Sequence, residues 1–196
     1  MQHLIEKVTT RLVISLRLRI LTVGMIGLLS LMVCHTAGAQ CASILSDGDF
    51  EEQRSDTLRT PWYAEGRAAV DRKRGLGYGS DNNAWAGKKT GWNGIYNYPM
   101  VLTKGVLYTL TAFVRTSDDA RDVYFGFRNK DQSVAKETSK FGPVHAYREV
   151  KVVFRPERTD YYRVFIGFWS HSPESWIRVD HMSLDSACHD TNPGQQ

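Results

Sequence analysis

The segment 108–116 alternates between two kinds of side chain, and this alternation constrains the fold most strongly. Tyr108, Leu110, Ala112 and Val114 are apolar, whereas the positions between them carry Thr, Thr, Phe and Arg. Such alternation is typical of a β-strand with one face in a core. Similar segments occur, separated by turn-forming residues, at 122–128, 148–155, 162–170 and 177–184. The pattern predicts an all-β protein, a jelly-roll β-sandwich of two antiparallel sheets with about eight to ten strands.

Residues 1–39 have the organisation of a secretory signal peptide. Arg11, Arg17 and Arg19 precede an apolar run over 20–33, and residues 37–39 supply small side chains for cleavage. We therefore expect a secreted protein, extracellular or periplasmic, with no membrane segment after cleavage. An uncleaved N-terminal anchor is the alternative. The expected domains are a signal peptide at 1–39, a sandwich domain at 40–188 and a disordered polar tail at 189–196.

The positive charge of the chain lies mostly in this leader. The full sequence has 25 basic and 21 acidic residues, a net charge of +4. Removal of 1–39 takes away four basic residues and one acidic residue, which lowers the net charge to +1. No basic stripe remains that would indicate nucleic-acid binding.

Two cysteines flank the predicted sandwich. Cys41 precedes its first segment and Cys188 follows its last. Secretion would place both in an oxidising compartment, and the ends of a sandwich domain commonly lie close together. We predict a Cys41–Cys188 disulfide, and two unpaired thiols are the alternative.

The second faces of several predicted strands mix aromatic rings, cations and glycine. Phe113 accompanies Arg115, Tyr124 accompanies Arg128, and Trp169 follows Gly167. Aromatic rings can cover the C–H patch of a sugar ring, and planar polar groups can bind its hydroxyls. Glycines such as Gly126 and Gly167 would keep the floor of such a cleft open. The glycine- and asparagine-rich segment 85–98, which we expect to be a loop, adds two Trp and two Tyr residues.

Three stretches carry a resemblance to a known group of proteins. Residues 44–51 read Ile-Leu-Ser-Asp-Gly-Asp-Phe-Glu, and residues 176–184 read Trp-Ile-Arg-Val-Asp-His-Met-Ser-Leu. In this order they resemble the two ends of the β-sandwich carbohydrate-binding modules of families 4, 9, 16 and 22, which are galactose-binding-like domains. The stretch 92–115 is similar to the middle of the same modules. The resemblance spans 44–184.

The resemblance implies both a metal site and a ligand cleft. In the family an acidic residue early in the first strand and an Asp in the last strand often meet at a structural calcium, which here implies a first strand around residues 44–51 and Asp49 or Glu51 together with Asp180. It also places Trp92, Tyr96 and Asn97 in or beside the cleft. With the residues proposed from the strand faces, the expected ligand-binding set is Trp92, Tyr96, Asn97, Phe113, Arg115, Tyr124, Arg128 and Trp169.

The sequence offers no catalytic constellation. Glu51 and Glu52 are consecutive and would face opposite ways in a strand, and the other glutamates stand singly. The histidines lack metal-binding spacing, and no nucleophile or phosphate-binding motif occurs. We therefore interpret the chain as non-catalytic.

The leading interpretation is a secreted carbohydrate-binding module that binds a glycan or polysaccharide in a concave cleft. A separate carbohydrate-active enzyme is a possible partner, since such modules usually accompany a catalytic domain. The first alternative is a structural or adhesive protein that uses the sandwich for protein contacts. A small sandwich enzyme is the second alternative.

Overall fold

The computed structural model describes residues 43–186, and within this range the protein consists of eleven β-strands in two antiparallel sheets. No helix in this part of the chain is long and apolar enough to cross a membrane. The predicted signal peptide, the predicted Cys41–Cys188 disulfide and the predicted disordered tail lie outside the described residues. The predicted all-β sandwich of two antiparallel sheets is confirmed.

The first sheet has six strands. Its order is β1-β4-β10-β7-β8, and β5 pairs with the beginning of β10. Its strands are β1 (Trp62–Glu65), β4 (Gly91–Asn97), β5 (Met100–Leu102), β7 (Val123–Asn129), β8 (Val134–Glu137) and β10 (Asp160–Ser170).

The second sheet has five strands in the order β2-β3-β11-β6-β9. Its strands are β2 (Ala68–Asp71), β3 (Asn83–Gly87), β6 (Tyr108–Thr116), β9 (Arg148–Phe154) and β11 (Trp176–Ser186). The register of β11 shifts between Asp180 and Ser183, where a bulge interrupts its pairing with β6.

The core between the sheets follows the predicted alternation. Val123, Phe125 and Phe127 of β7 and Ile166 and Phe168 of β10 are fully buried and face inward. The apolar side chains of β6 meet them from the second sheet. The predicted inward faces of these strands are therefore correct.

Two segments differ from expectation. Residues 43–50 form bends and turns rather than a first strand, although the Ile44 amide donates to the Leu184 carbonyl and the Met182 amide donates to the Gly48 carbonyl. The segment 85–98 is not a loop, because β3 and β4 occupy most of it. These two strands belong to different sheets, so the turn at residues 88–90 crosses the edge of the sandwich.

Trp62 joins the N-terminal segment to the core. Its side chain is 1% exposed, and its indole Nε1–H donates to the Asp47 carbonyl at 2.8 Å. Its ring lies 5.0 Å from the ring of Phe50. The Asp47 carbonyl also accepts from the Phe50 amide, so the indole bond and the ring contact with Phe50 together hold residues 47–50 against the sandwich.

We predict that Trp62→Phe lowers the free energy of unfolding by about 1–3 kcal/mol, because the buried indole's hydrogen bond to the Asp47 carbonyl is lost and the smaller ring leaves a gap in the core. Urea denaturation measures this change. Trp169→Phe is the matched control, since Trp169 is 52% exposed and its replacement should change stability by less than about 0.5 kcal/mol. Equal effects of the two substitutions would contradict the assigned role of Trp62.

Candidate functional site

The outer face of the first sheet brings together aromatic residues from three adjacent strands. Trp92 on β4 lies directly opposite Trp169 on β10, and Tyr124 on β7 lies opposite Gly167. The ring centroids of Trp92 and Tyr124 are 6.4 Å apart. Trp169 is half exposed, whereas Trp92 and Tyr124 are half-buried. Four of the predicted ligand-binding residues thus share this face: Trp92, Tyr124, Arg128 and Trp169, which we call the aromatic face.

The aromatic face rests on a second layer of buried rings. Phe165 points outward from β10 yet is 0% exposed, and Tyr96 beside it is 1% exposed. Their rings stack with centroids 5.8 Å apart, and the Trp92 Nε1–H donates to the Tyr96 hydroxyl oxygen at 2.9 Å. Burial, together with the neighbouring Glu65 carboxylate, raises the pKa of Tyr96, so this hydroxyl stays protonated. Tyr96 therefore supports the face rather than forming its surface.

Glycines make room for the Trp92 ring. A Cβ atom at Gly167 would lie 2.5 Å from Cζ2 of Trp92, and one at Gly94 would lie 3.3 Å from its Nε1. At Gly126 the space is filled by the β8 backbone, since a Cβ there would lie 2.1 Å from the Lys136 carbonyl oxygen. The expectation that Gly126 and Gly167 leave an open floor is wrong, because neighbouring groups occupy both positions.

Arg128 lies flat along one side of the aromatic face. Its guanidinium carbon is 4.4 Å from the Phe165 ring centroid and 5.6 Å from that of Trp92. Its Nη1 donates to the Gln132 carbonyl at 3.1 Å. Its buried Nε has no hydrogen-bond partner among the described residues. The side chain as a whole is only half-buried, so its guanidinium end can donate to a group lying on the rings.

Sequence reasoning missed two members of this layer, Tyr63 and Arg163. Tyr63 on β1 stacks on Tyr96 with ring centroids 5.3 Å apart, and Arg163 Nη1 donates to the Tyr63 hydroxyl oxygen at 2.8 Å. Arg163 lies opposite Arg128 in the β7–β10 pairing. The alternation in β1 could have indicated Tyr63, because it turns this side chain away from the core in which Trp62 is buried.

Phe113 and Arg115 do not lie on the aromatic face. Both point outward from β6, which belongs to the second sheet, so they occupy the opposite side of the sandwich. Tyr78, from the connection between β2 and β3, stacks on Phe113 with ring centroids 3.7 Å apart. The predicted single cleft with Phe113, Arg115 and Trp169 is therefore wrong, because β6 and β10 belong to different sheets.

Asn97 also lies away from the predicted cleft. It shares its side of β4 with the fully buried Ile95, faces the core, and is 5% exposed. Its Nδ2 has no hydrogen-bond partner among the described residues. Its placement as a ligand contact is wrong, because strand alternation turns it to the side opposite Tyr96.

The predicted calcium ligands are not gathered into one set. Asp180 Oδ2 accepts from the Tyr78 amide at 2.6 Å and from the Ser80 hydroxyl at 2.7 Å. Glu51 Oε1 accepts from the Asn82 amide at 2.6 Å, whereas Asp49 is exposed. Within residues 43–186 no group of three or more His, Cys, Asp and Glu side chains is placed to hold a metal ion. Calcium therefore remains a prediction of the resemblance alone.

Comparisons with solved structures identify the fold. An arabinose-bound α-L-arabinofuranosidase superposes with a TM-score of 0.63 at 15% identity over 80% of this chain, which spans only 28% of that chain. A family 61 carbohydrate-binding module in complex with β-1,4-galactotriose gives 0.54 at 11% identity, covering 75% of this chain and 100% of the module. A cyclase from Fischerella sp. TAU, in complex with 4-(1H-indol-3-yl)butan-2-one, gives 0.60 at 15% identity, with 75% and 98% covered.

These similarities are structural rather than sequence-based. No protein-family model matches the chain, and no curated protein matches its sequence. At such identities the superpositions show the fold alone. The chain has the β-sandwich fold of carbohydrate-binding modules, and cyclases share that fold.

We predict that Gly167→Ala displaces the Trp92 ring and lowers the free energy of unfolding by about 1–3 kcal/mol, as overpacking does. The same substitution in a Trp92→Ala background should cost much less, since the obstructing ring is gone. A double-mutant cycle followed by urea denaturation should give a coupling energy of about 1–2 kcal/mol. Additive effects would contradict the contact between the ring and Gly167.

The resemblance predicts that EDTA lowers the melting temperature and that added calcium restores it, because a bound ion stabilises only the folded state. Thermal unfolding in the two conditions measures the difference, with magnesium as the control ion. An unchanged melting temperature would contradict the calcium site and would mean that protein donors, which include the Tyr78, Asn82 and His181 amides, are enough for Asp180 and Glu51.

Proposed function

We propose that this protein is a secreted, non-catalytic carbohydrate-binding module that holds a glycan or polysaccharide chain on the aromatic face. One observation carries the proposal. Trp169 is 52% exposed and lies directly opposite Trp92, with Tyr124 beside them, on an outward face where a solvated sheet would carry polar residues. A large exposed aromatic group on a supported surface is typical of an interaction site.

The chemistry of the aromatic face suits a sugar chain. Indole and phenol rings can pack against the C–H patch of a pyranose ring and release water. Arg128 lies at the edge of the rings and is half-buried, so its guanidinium end can donate to ring hydroxyls. The face is built from neighbouring strands rather than loops, so its rings are held in fixed positions before a ligand arrives.

The comparisons support the proposal at the level of the fold. The family 61 module that superposes over its whole length was solved with β-1,4-galactotriose. Because a cyclase has the same fold, the absence of catalysis is part of the proposal rather than a consequence of the fold. The proposed absence of catalysis rests on the lack of a recognisable pair of catalytic carboxylates in the sequence. Incubation with polysaccharides should therefore release no soluble product.

The alternative function is protein adhesion, and a second surface favours it. Val101 on β5 and Tyr161 on β10 are direct neighbours in the pairing of these strands, and they are 53% and 50% exposed. Tyr98 is 50% exposed. Exposed apolar side chains of this kind suit a protein contact. Adhesive use predicts stable self-association without sugar, which size-exclusion chromatography detects.

We predict that one or more polysaccharides retard the protein in affinity electrophoresis, and that Trp169→Ala and Tyr124→Ala each weaken this binding about tenfold or more. An aromatic residue at the centre of a binding surface commonly contributes about 2 kcal/mol or more. The polymer panel includes galactan, arabinan and xylan. Val153→Ala is the control, because Val153 is 44% exposed on the second sheet.

Free migration of the unmodified protein through the whole panel would contradict the proposed function. Retardation that persists in both aromatic variants would instead mean that the polysaccharide binds outside the aromatic face.

Secretion through residues 1–39 and association with a separate carbohydrate-active enzyme are further parts of the proposal. N-terminal sequencing of the protein recovered from a secreting host tests the cleavage site.

A further inference from the structure

A second group of tryptophans and cations lies on the outer face of the second sheet. Trp85 on β3 is directly opposite Arg178 on β11, and Trp176 is opposite Gly87. The two indoles border a cavity of about 130 Å³ that is also lined by Asp71, Lys88 and Arg178. We call this cavity the Trp85–Trp176 pocket. It is on the opposite sheet from the aromatic face and plays no part in the proposed function above.

An ion pair forms one wall of the Trp85–Trp176 pocket. Arg178 donates to Asp71 Oδ2 from Nε at 3.1 Å and from Nη2 at 3.0 Å, and its guanidinium carbon lies 4.8 Å from the Trp176 ring centroid. The Arg178 side chain is 20% exposed and that of Asp71 is 27% exposed, so the geometry of this pair is held by its surroundings. A fixed guanidinium and carboxylate beside an indole can bind adjacent hydroxyls of a sugar ring.

Lys88 is directed over the pocket by an unusual backbone conformation. Its φ is 58°, in the left-handed region that side chains other than glycine rarely adopt. The Lys88 amide donates to the Ser175 carbonyl at 2.8 Å, and Arg67 donates to the Lys88 carbonyl at 3.1 Å. This conformation places Nζ 5.0 Å from the Trp85 ring centroid. Strained backbone of this kind is concentrated at functional sites.

The charge at the pocket is positive. Lys88 and Arg178 line it and the Arg67 guanidinium carbon lies 5.7 Å from the Trp85 ring centroid, whereas Asp71 is the single carboxylate among the lining residues. Asp71 is paired with Arg178, and neither Lys88 nor Arg67 forms an ion pair with another described residue. A ligand that lies on the indoles and carries a negative charge would complement these two cations.

We propose that the Trp85–Trp176 pocket binds one acidic sugar unit, a uronic acid residue of a glycan. The sugar ring lies against the indoles, its hydroxyls meet Arg178 and Asp71, and its carboxylate pairs with Lys88. The small volume of the pocket suits a single unit, either a chain end or a branch. The protein thus has two separate glycan contacts on opposite sheets.

The test is a titration of the ¹⁵N-labelled protein with trigalacturonate, following the indole N–H signals of the tryptophans by NMR. We expect the Trp85 and Trp176 signals to move and saturate.

Lys88→Gln should weaken this binding about tenfold, the effect of losing one charge-assisted hydrogen bond. Lys89→Gln is the matched control, because Lys89 is the next residue in the same turn and does not line the pocket. The methyl-esterified trisaccharide, which has no charge, should bind at least tenfold more weakly.

Lys88→Gly separates a binding role from a structural one. Glycine adopts positive φ freely, so this variant should have a melting temperature at least equal to that of the unmodified protein while trigalacturonate binding falls. A structural role alone would leave binding unchanged. Trp169→Ala should leave the Trp85 and Trp176 shifts intact.

Three outcomes would overturn the inference. Shifts confined to Trp92 and Trp169 would place the acidic sugar on the aromatic face and leave the proposed function standing. Equal binding of the esterified trisaccharide would remove the acidic specificity. If trigalacturonate shifts no indole signal, the Trp85–Trp176 pocket does not bind an acidic sugar. Retardation by a neutral polysaccharide tests the aromatic face independently of that result.

Discussion

Burial of β10 on both of its faces is the constraint on which the first sheet depends. Ile166 points into the core and Phe165 points outward, and both are 0% exposed. The outward side is covered by Tyr96, Trp92 and Arg128, which form a layer above Phe165. Because this layer is packed, Trp169 and Tyr124 lie on a rigid base. A ligand that binds there immobilises few side chains, and the entropic cost of binding is correspondingly small.

The strand faces could be predicted from the sequence more reliably than the sheets. Alternation indicates which side chains of β6, β7 and β10 share a side, and the inward sets are confirmed by burial. It does not indicate which strands hydrogen-bond to one another. Phe113 and Tyr124 have the same outward pattern in sequence, yet β6 and β7 belong to opposite sheets. Which sheet each strand joins is decided by pairing between segments distant in sequence, and the local pattern of side chains does not indicate that pairing.

Other differences have local causes. Glycine and asparagine in 85–98 suggested a loop, but a side chain at Gly94 would meet the Tyr96 and Trp92 rings, just as one at Gly167 on β10 would meet the Trp92 ring. A glycine in a strand can therefore mark the position of a neighbouring ring rather than a turn. Asn97 follows the alternation of β4 and shares the core side of Ile95, which the resemblance alone could not indicate.

The two outer faces of the sandwich use similar residues in different ways. On the first sheet the Tyr63, Tyr96 and Phe165 rings form a stacked layer, and Trp169 lies exposed on the same side. On the second sheet Tyr78 stacks on Phe113, and Trp85 and Trp176 border a pocket near the turn at residues 88–90. One small domain thereby presents an extended surface on one side and a compact pocket on the other.

The five tryptophans provide the most direct test of the central claim, that the aromatic face binds glycan. Trp62 lies in the core, Trp92 and Trp169 lie on the aromatic face, and Trp85 and Trp176 lie at the pocket. The measurement is an NMR titration of their indole N–H signals with a neutral oligosaccharide from the polysaccharide that retards the protein. Glycan binding on the aromatic face predicts saturating shifts of the Trp169 and Trp92 signals and an unchanged Trp62 signal. Calorimetrically detectable binding without a shift of Trp92 or Trp169 would contradict it.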